Sequence, residues 1–346
     1  MPWCWRLTNL DPEQRTGIDL QGFDPLRLPG IEPLLRTLGI KDPITWRQHW
    51  RSLGGAGFQQ QAWGHPVASD WVWGVALPLL TALEKHHQSG ERRLIGLSGL
   101  PGCGKSTLAS WLAQVSLQMK LPVAVVSLDD FYWPGEELDR AMAGNPWQVP
   151  RALPGSHDLD LLESSLERWQ GNGELRMPRF EKSLRGGRGD RSGWSQQSAE
   201  VVLLEGWFLG ATPGKATTQS NEDIEGLDLT ATERQWQTRA MAQLERYQPI
   251  WERLDVLWHL RAPTPSASRR WKEEQEEAMK RRTGIRLPGE ALQGFVRMIE
   301  AAFPEAALQD ISTADVVIHL TESRQIRELQ LKRRCDQASE SVSSTG

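Results

Sequence analysis

The chain is short of tyrosine, of cysteine and of long apolar runs. Its 346 residues include only 2 Tyr and 3 Cys. The cysteines, Cys4, Cys103 and Cys335, are odd in number and far apart. That spacing suits neither a disulfide scaffold nor a thiolate metal site, and points to a reducing compartment with the cytoplasm as the expected location. No apolar stretch approaches the roughly 20 residues a membrane-spanning helix needs. The opening Met1-Pro2-Trp3-Cys4-Trp5-Arg6 has neither the apolar core of a secretory signal nor an Arg/Ser-rich transit pattern. A net charge of −4 gives no basic excess, so neither nucleic acid nor an anionic membrane is an expected partner. Nothing in the composition bears on oligomeric state.

What is abundant is tryptophan, with 17 residues. Trp3, Trp5, Trp46, Trp50, Trp63, Trp71 and Trp73 all precede residue 90. A segment so rich in large aromatics belongs to a packed structure, and most of these rings are expected in a core. Pro43 to Leu53 places Trp46, Trp50 and Leu53 on one helical face. Trp71 to His86 reads as a second helix, kinked or interrupted at Pro78. Glycine-rich loops are expected at 54–57 and 64–66. The predicted organisation is a helical, Trp-rich N-terminal extension over 1–90, a core domain over 91–335 and a disordered polar tail over 336–346.

From Leu94 the pattern alternates between strand and helix. Strand-like runs cover 94–98, 123–128, 201–204, 255–260 and 315–320. The expected fold class is α/β, with a parallel sheet covered by helices on both faces. Ser323 to Arg334 reads as a basic surface helix.

The first strand leads into Gly99-Leu100-Pro101-Gly102-Cys103-Gly104-Lys105-Ser106-Thr107, which fits the phosphate-binding loop G-x-x-x-x-G-K-[ST] without mismatch. A helical run follows it, as the motif requires. Glycines let backbone N–H groups wrap phosphate oxygens at a helix N-terminus, Lys105 adds a full charge, and the Ser106 hydroxyl suits Mg²⁺. Cys103 reads as a small residue that fits the loop. The alternative is a thiol activated at a helix N-terminus, whose oxidation would block the site.

The second strand ends in Asp129-Asp130-Phe131-Tyr132 and the third in Glu205-Gly206-Trp207. Carboxylates at the C-terminal ends of parallel strands sit where open α/β sheets bind ligands. One of the Asp129/Asp130 pair is expected to take the proton of an attacking hydroxyl, and Glu205 either to hold Mg²⁺ through water or to orient the base. Two polar loops lie between, Pro150 to Asp158 and Met177 to Arg191, the second with five Arg or Lys able to clamp an anion. Residues 264–290, with Arg270, Lys272 and Lys280, read as a cationic lid that excludes water.

Taken in order, the phosphate loop, Ser127 to Tyr132, Pro150 to Leu162, Met177 to Trp194, Val201 to Gly210, Arg269 to Lys280 and Gly294 to Pro304 make the chain resemble the plant-type D-glycerate 3-kinases, cyanobacterial members included. That group is similar to pantothenate kinase, uridine kinase and phosphoribulokinase. The likeness covers about residues 90 to 322. It implies a P-loop NTPase kinase fold and MgATP-dependent phosphorylation of D-glycerate to 3-phosphoglycerate, the salvage step of photorespiration. It implies Asp129 as base with Lys105 at the transferred phosphate, Ser106 and Glu205 at the metal, and acceptor binding by His157, Arg179, Lys182, Arg188 and Arg191. Lys272 departs from the arginine expected in the lid, and a compact ammonium does that job less rigidly. Two rival readings remain: a kinase of another small hydroxylated acceptor, and a P-loop protein that binds ATP without transferring phosphate.

Overall fold

The computed structural model describes residues 23–52, 67–213, 228–283, 289–309 and 312–332. Trp3, Trp5, Trp63, both glycine-rich loops before residue 67 and the tail at 336–346 lie outside the described residues.

Six strands form the main sheet. They are β1 (Arg93–Gly99), β2 (Val123–Ser127), β5 (Val201–Gly206), β6 (Val256–Arg261), β7 (Val316–Leu320) and β8 (Ile326–Leu331), in the order β2-β5-β1-β6-β7-β8. All five strands read from the sequence are in it, and their mutual pairing is parallel. β5 and β7 are buried at every position and β1 at all but its first, as in a sheet covered on both faces. The helix α4 (Lys105–Gln118), which follows β1, buries Leu108, Trp111, Leu112 and Val115 at helical spacing.

Two segments differ from expectation. The described part of the run read as a helix, Ser323 to Lys332, forms none: β8 pairs antiparallel with β7 instead. Its Glu, Gln, Leu and Lys residues favour helix locally, and only pairing with β7 overrides that preference. The basic loop is the end of a hairpin, β3 (Glu174–Glu181) with β4 (Asp190–Ser198), standing apart from the main sheet. β4 carries exposed Ser, Gly, Trp and Gln with no apolar alternation, and that of β3, Leu175, Met177 and Phe180, changes phase at a bulge between Arg179 and Phe180.

The N-terminal extension is helical where described: α1 (Ile31–Thr37), α2 (Pro43–Ser52) and α3 (Leu77–Ser89). The interruption expected at Pro78 lies just upstream, as a π-helical turn over Val72–Ala76 in which Leu77 N donates to Val72 O. A wider turn there absorbs the donor that proline lacks. Trp46, Trp50, Trp71 and Trp73 are buried and join one continuous core with the sheet. Trp46 meets Trp73 edge to face at 5.6 Å and donates to Thr81 Oγ1 at 3.1 Å. The extension also closes the outer side of β8. Leu329 N donates to Pro29 O at 2.8 Å, and a Cβ on Gly30 would stand 1.8 Å from Leu329 O. An edge strand that would otherwise offer unpaired groups is thereby covered.

A buried carboxylate ties the far side together. Helix α7 (Ala231–Leu244) starts with a capping box between Thr230 and Glu233. Glu233 also accepts from Trp147 Nε1 at 3.0 Å and from Arg297, on α9 (Gly289–Ala301), at 2.6 and 2.9 Å. The Arg297 hydrogen bonds chiefly hold its carboxyl down at about 2. Removing one partner of such a pair leaves the other unpaired, so Glu233→Gln is expected to cost about 3 kcal/mol in urea unfolding at neutral pH. A lowered folded-state pKa stabilises above the ordinary glutamate range, so the difference should shrink as pH falls from there through about 2.

Candidate active site

The parallel register assembles the site. β5 lies between β1 and β2, pairing Ser98 with Gly206 and Ser127 with Glu205. The ends of three strands therefore meet at one edge, beside the phosphate loop that leaves β1 at Gly99. Glu205 is buried and accepts on Oε1 from Ser127 Oγ at 2.8 Å and from Ser106 Oγ at 3.2 Å. The two groups assigned to the metal from sequence thus touch. Lys105 is buried and folds over its own loop, donating to Gly99 O at 2.5 Å and Leu100 O at 3.1 Å. Gly99, Leu100, Pro101, Gly102, Cys103 and Gly104 make the turn between β1 and α4, and Ser106 and Thr107 continue the helix from Lys105. The Cys103 thiol is fully buried, which fits the packing reading, and Lys105 Nζ lies 3.8 Å from it.

Asp129 and Asp130 lie on the short turn after β2 and do different things. Asp129 accepts from the Tyr132 hydroxyl at 2.8 Å and from Lys182 Nζ at 2.7 Å. Burial pushes its carboxyl up, but the Lys182 charge and the two hydrogen bonds more than offset this and hold it well below the usual range. The Lys182 ammonium is raised in turn, mainly by Asp129. Asp130 accepts from the Phe180 amide at 3.2 Å, which fastens the hairpin to the strand end, and burial raises its carboxyl.

The residues expected around the acceptor divide into two sets. His157 is buried, stacked on Tyr132 at 4.5 Å between centroids, with Nδ1 2.8 Å from the Tyr247 hydroxyl. Burial lowers its pKa to about 4, so it is neutral at pH 7, and its Nε2 is buried without a partner. Lys182 rests on Asp129. Arg179 is exposed on β3. Arg188 and Arg191 are occupied elsewhere. Arg188 binds Asp139 of α5 (Gly135–Met142) at 2.6 Å, together with Arg185. Arg191 binds Asp158 at 2.8 Å and Tyr132 O at 3.1 Å. Both pin the hairpin in place.

The segment read as a lid is docked on the loop. Residues Pro265–Thr283 form one helix, α8, whose Ser268 donates to Pro101 O at 2.6 Å. Trp271 is buried against Gly102, where a Cβ would stand 2.8 Å from its own. Arg270 pairs with Glu322, and Lys272 with Glu276 at 2.7 Å. Lys280 is exposed, and residues 284–288 lie outside the described ones. From the other side come Trp71, whose ring faces Gly104, and Arg324, which donates to Gly102 O at 3.3 Å.

Tyr132 and Tyr247 were not read as site residues from sequence. They are the only 2 tyrosines in the chain, and one hydroxyl serves Asp129 while the other serves His157. Their rarity beside 17 Trp was the available signal. A buried phenol needs a hydrogen-bond partner, whereas a buried indole fills space with a single donor.

No family model matches the chain. It is 33% identical over 237 residues to an uncharacterised kinase of Schizosaccharomyces pombe, covering 63% of this chain and 82% of that one. It is 32% identical over 216 residues to the chloroplastic D-glycerate 3-kinase of Arabidopsis thaliana, covering 59% of this chain and 45% of that longer protein. The chain belongs to this family of P-loop kinases. Its fold is also that of a D-glycerate 3-kinase structure from Cryptococcus neoformans, with a TM-score of 0.60 at 22% identity over 77% of this chain and all of that one. Both relatives are kinases, one uncharacterised and one a D-glycerate 3-kinase. Among the described residues no helix is long and apolar enough to cross a membrane.

The contact between extension and phosphate loop gives a test. Gly104 has φ +107°, and a Cβ there would stand 3.0 Å from the Trp71 ring. Gly104→Ala should weaken binding of a non-hydrolysable ATP analogue at least about 10-fold by calorimetry, since the loop's N–H groups lose their aim. Gly90 also has positive φ, +70°, but faces open space; Gly90→Ala should leave that affinity unchanged.

Proposed function

We propose that the protein is a glycerate 3-kinase, transferring the γ-phosphoryl group of ATP to the 3-hydroxyl of D-glycerate. The observation that carries the choice of acceptor is Lys182 Nζ, 2.7 Å from Asp129. A cation touching the candidate base suits an acceptor whose anion lies close to its reacting hydroxyl. In D-glycerate a single carbon separates the carboxylate from the carbon that bears the 3-hydroxyl. Uridine has no carboxylate, and in pantothenate it lies at the far end of the molecule. The Arabidopsis relative, a D-glycerate 3-kinase, supports the same choice.

In this reading the phosphates lie in the loop from Gly99 to Thr107, with Lys105 leaving its own carbonyls to meet them. Ser106 and Glu205 would hold Mg²⁺. The donor set fits, since a hydroxyl and a carboxylate already converge at 3.2 Å and both are hard oxygen ligands. When bound, the ion supplies positive charge to the phosphate oxygens. Asp129 receives the proton of the 3-hydroxyl while Tyr132 keeps the carboxylate oriented. The unpartnered Nε2 of neutral His157 offers one hydrogen bond to the acceptor's polar groups. Arg179 adds positive charge on the exposed side, and the cations of α8, Arg270, Lys272 and Lys280, close the nucleotide side. Catalysis is then positioning and charge neutralisation, as in other phosphoryl transfers.

ATP consumption with D-glycerate, L-glycerate, pantothenate and uridine, with the product read by phosphorus NMR, tests this. Turnover with D-glycerate to 3-phosphoglycerate is expected; a 2-phosphoglycerate product or preference for another acceptor overturns the reading. Asp129→Asn should bind the ATP analogue almost normally and lose about 10²–10⁴-fold in kcat. Near-normal turnover would remove Asp129 from the role of base.

A further inference from the structure

Both carboxylate oxygens of Asp129 are engaged, Oδ1 by the Tyr132 hydroxyl and Oδ2 by Lys182. A carboxylate so satisfied is a poor proton acceptor. The Tyr132 contact is local, three residues along the same turn, and its ring is buried. The Lys182 contact is different. It comes from the turn that follows β3, and the lysine side chain is 55% exposed. A flexible ammonium in that position can leave Oδ2 without disturbing the core.

Four of the neighbouring cations are held elsewhere. Arg185 and Arg188 hold Asp139, Arg191 holds Asp158, and Arg176 lies over the Trp194 ring at 4.4 Å. These contacts fix the hairpin while Lys182 spans from it to the candidate base.

We propose that Lys182 is a lock on Asp129 that the acceptor's own carboxylate opens. The inference rests on the reading of the protein as a glycerate kinase. An arriving carboxylate draws the ammonium off Oδ2 and takes it as its counter-ion. Oδ2 is then free to receive the acceptor's proton, and losing the adjacent positive charge raises its basicity. The hydroxyl oxygen attacks the γ-phosphorus, and the bond from that phosphorus to the bridging oxygen breaks. Its electron pair leaves with ADP, and the hydroxyl proton passes to Asp129 Oδ2. A neutral acceptor of the same size has nothing to draw Lys182 away, so the base stays occupied and phosphoryl transfer fails even when the acceptor is bound. Lys182 thereby sets specificity for anionic acceptors through the base as well as through binding.

The test compares D-glycerate with glycerol, which keeps the carbon chain and loses the carboxylate. In the wild type, kcat with glycerol should be far below kcat with D-glycerate at saturation. Lys182→Met should lower kcat/KM for D-glycerate about 100-fold, the loss of one charged hydrogen bond. The same change should raise kcat with glycerol at least about 10-fold, because the base is permanently released. Lys182→Arg, which restores the charge, should return glycerol turnover to the low wild-type level. Opposite movement of the two acceptors is the signature, since a merely structural role would lower both. Parallel loss in Lys182→Met, with Lys182→Arg restoring both acceptors or neither, overturns the lock and leaves the kinase assignment standing. So does a loss confined to D-glycerate, which makes Lys182 a binding residue only. A wild type inert on D-glycerate overturns the assignment itself, and the lock with it.

Discussion

The parallel pairing of β5 between β1 and β2 is the constraint on which the site depends. It sets Ser127 level with Glu205 and Ser98 level with Gly206, so three strands deliver a hydroxyl, a carboxylate and the phosphate loop to one edge. None of these groups is near another in the chain. Their convergence costs little extra order because the backbone hydrogen bonds that build the sheet also set the distances. The buried runs of β1, β5 and β7 make the register hard to slip, since each strand packs on both faces.

Around that edge the structure uses two kinds of support. On the nucleotide side, bulky rings and backbone bonds press on the phosphate loop: Trp271 at Gly102, Trp71 at Gly104, Ser268 on Pro101 O and Arg324 on Gly102 O. Two of these contacts link remote parts of the chain through one turn. Trp71 donates to Arg324 O, and Asp70 accepts from Ile326 N at 2.7 Å. The Trp-rich extension is thus part of the packing that shapes the loop, beyond covering the edge of β8. On the acceptor side the support is ionic. Asp139 and Asp158 hold the hairpin arginines, leaving Lys182 on the carboxylate of Asp129.

That division explains why similar residue types serve different ends. Arg188, Arg191 and Lys182 looked alike in sequence, as cations of one polar loop. In the fold the two arginines make fork-like contacts with carboxylates or backbone and become rigid struts. The lysine, with a single flexible stem, keeps the contact that can be exchanged.

The sequence by itself determined the fold class, five strands of the sheet, the phosphate loop and the acidic strand ends. Each rests on local information: apolar runs, glycine placement and residues adjacent to a motif. Only tertiary structure decided that Ser323 to Arg334 holds a strand, because pairing with β7 overrides the helical preference of its residues. It alone made the basic loop a hairpin, since β4 has no apolar alternation to mark it and a bulge breaks that of β3. It alone sorted the cations into struts and a counter-ion for Asp129, and brought Tyr132 to Asp129 and Tyr247 to His157. Tyr247 and His157 are 90 positions apart. Hydrogen bonds at that separation exist only once the sheet and its helices have closed, so no window of sequence could display them.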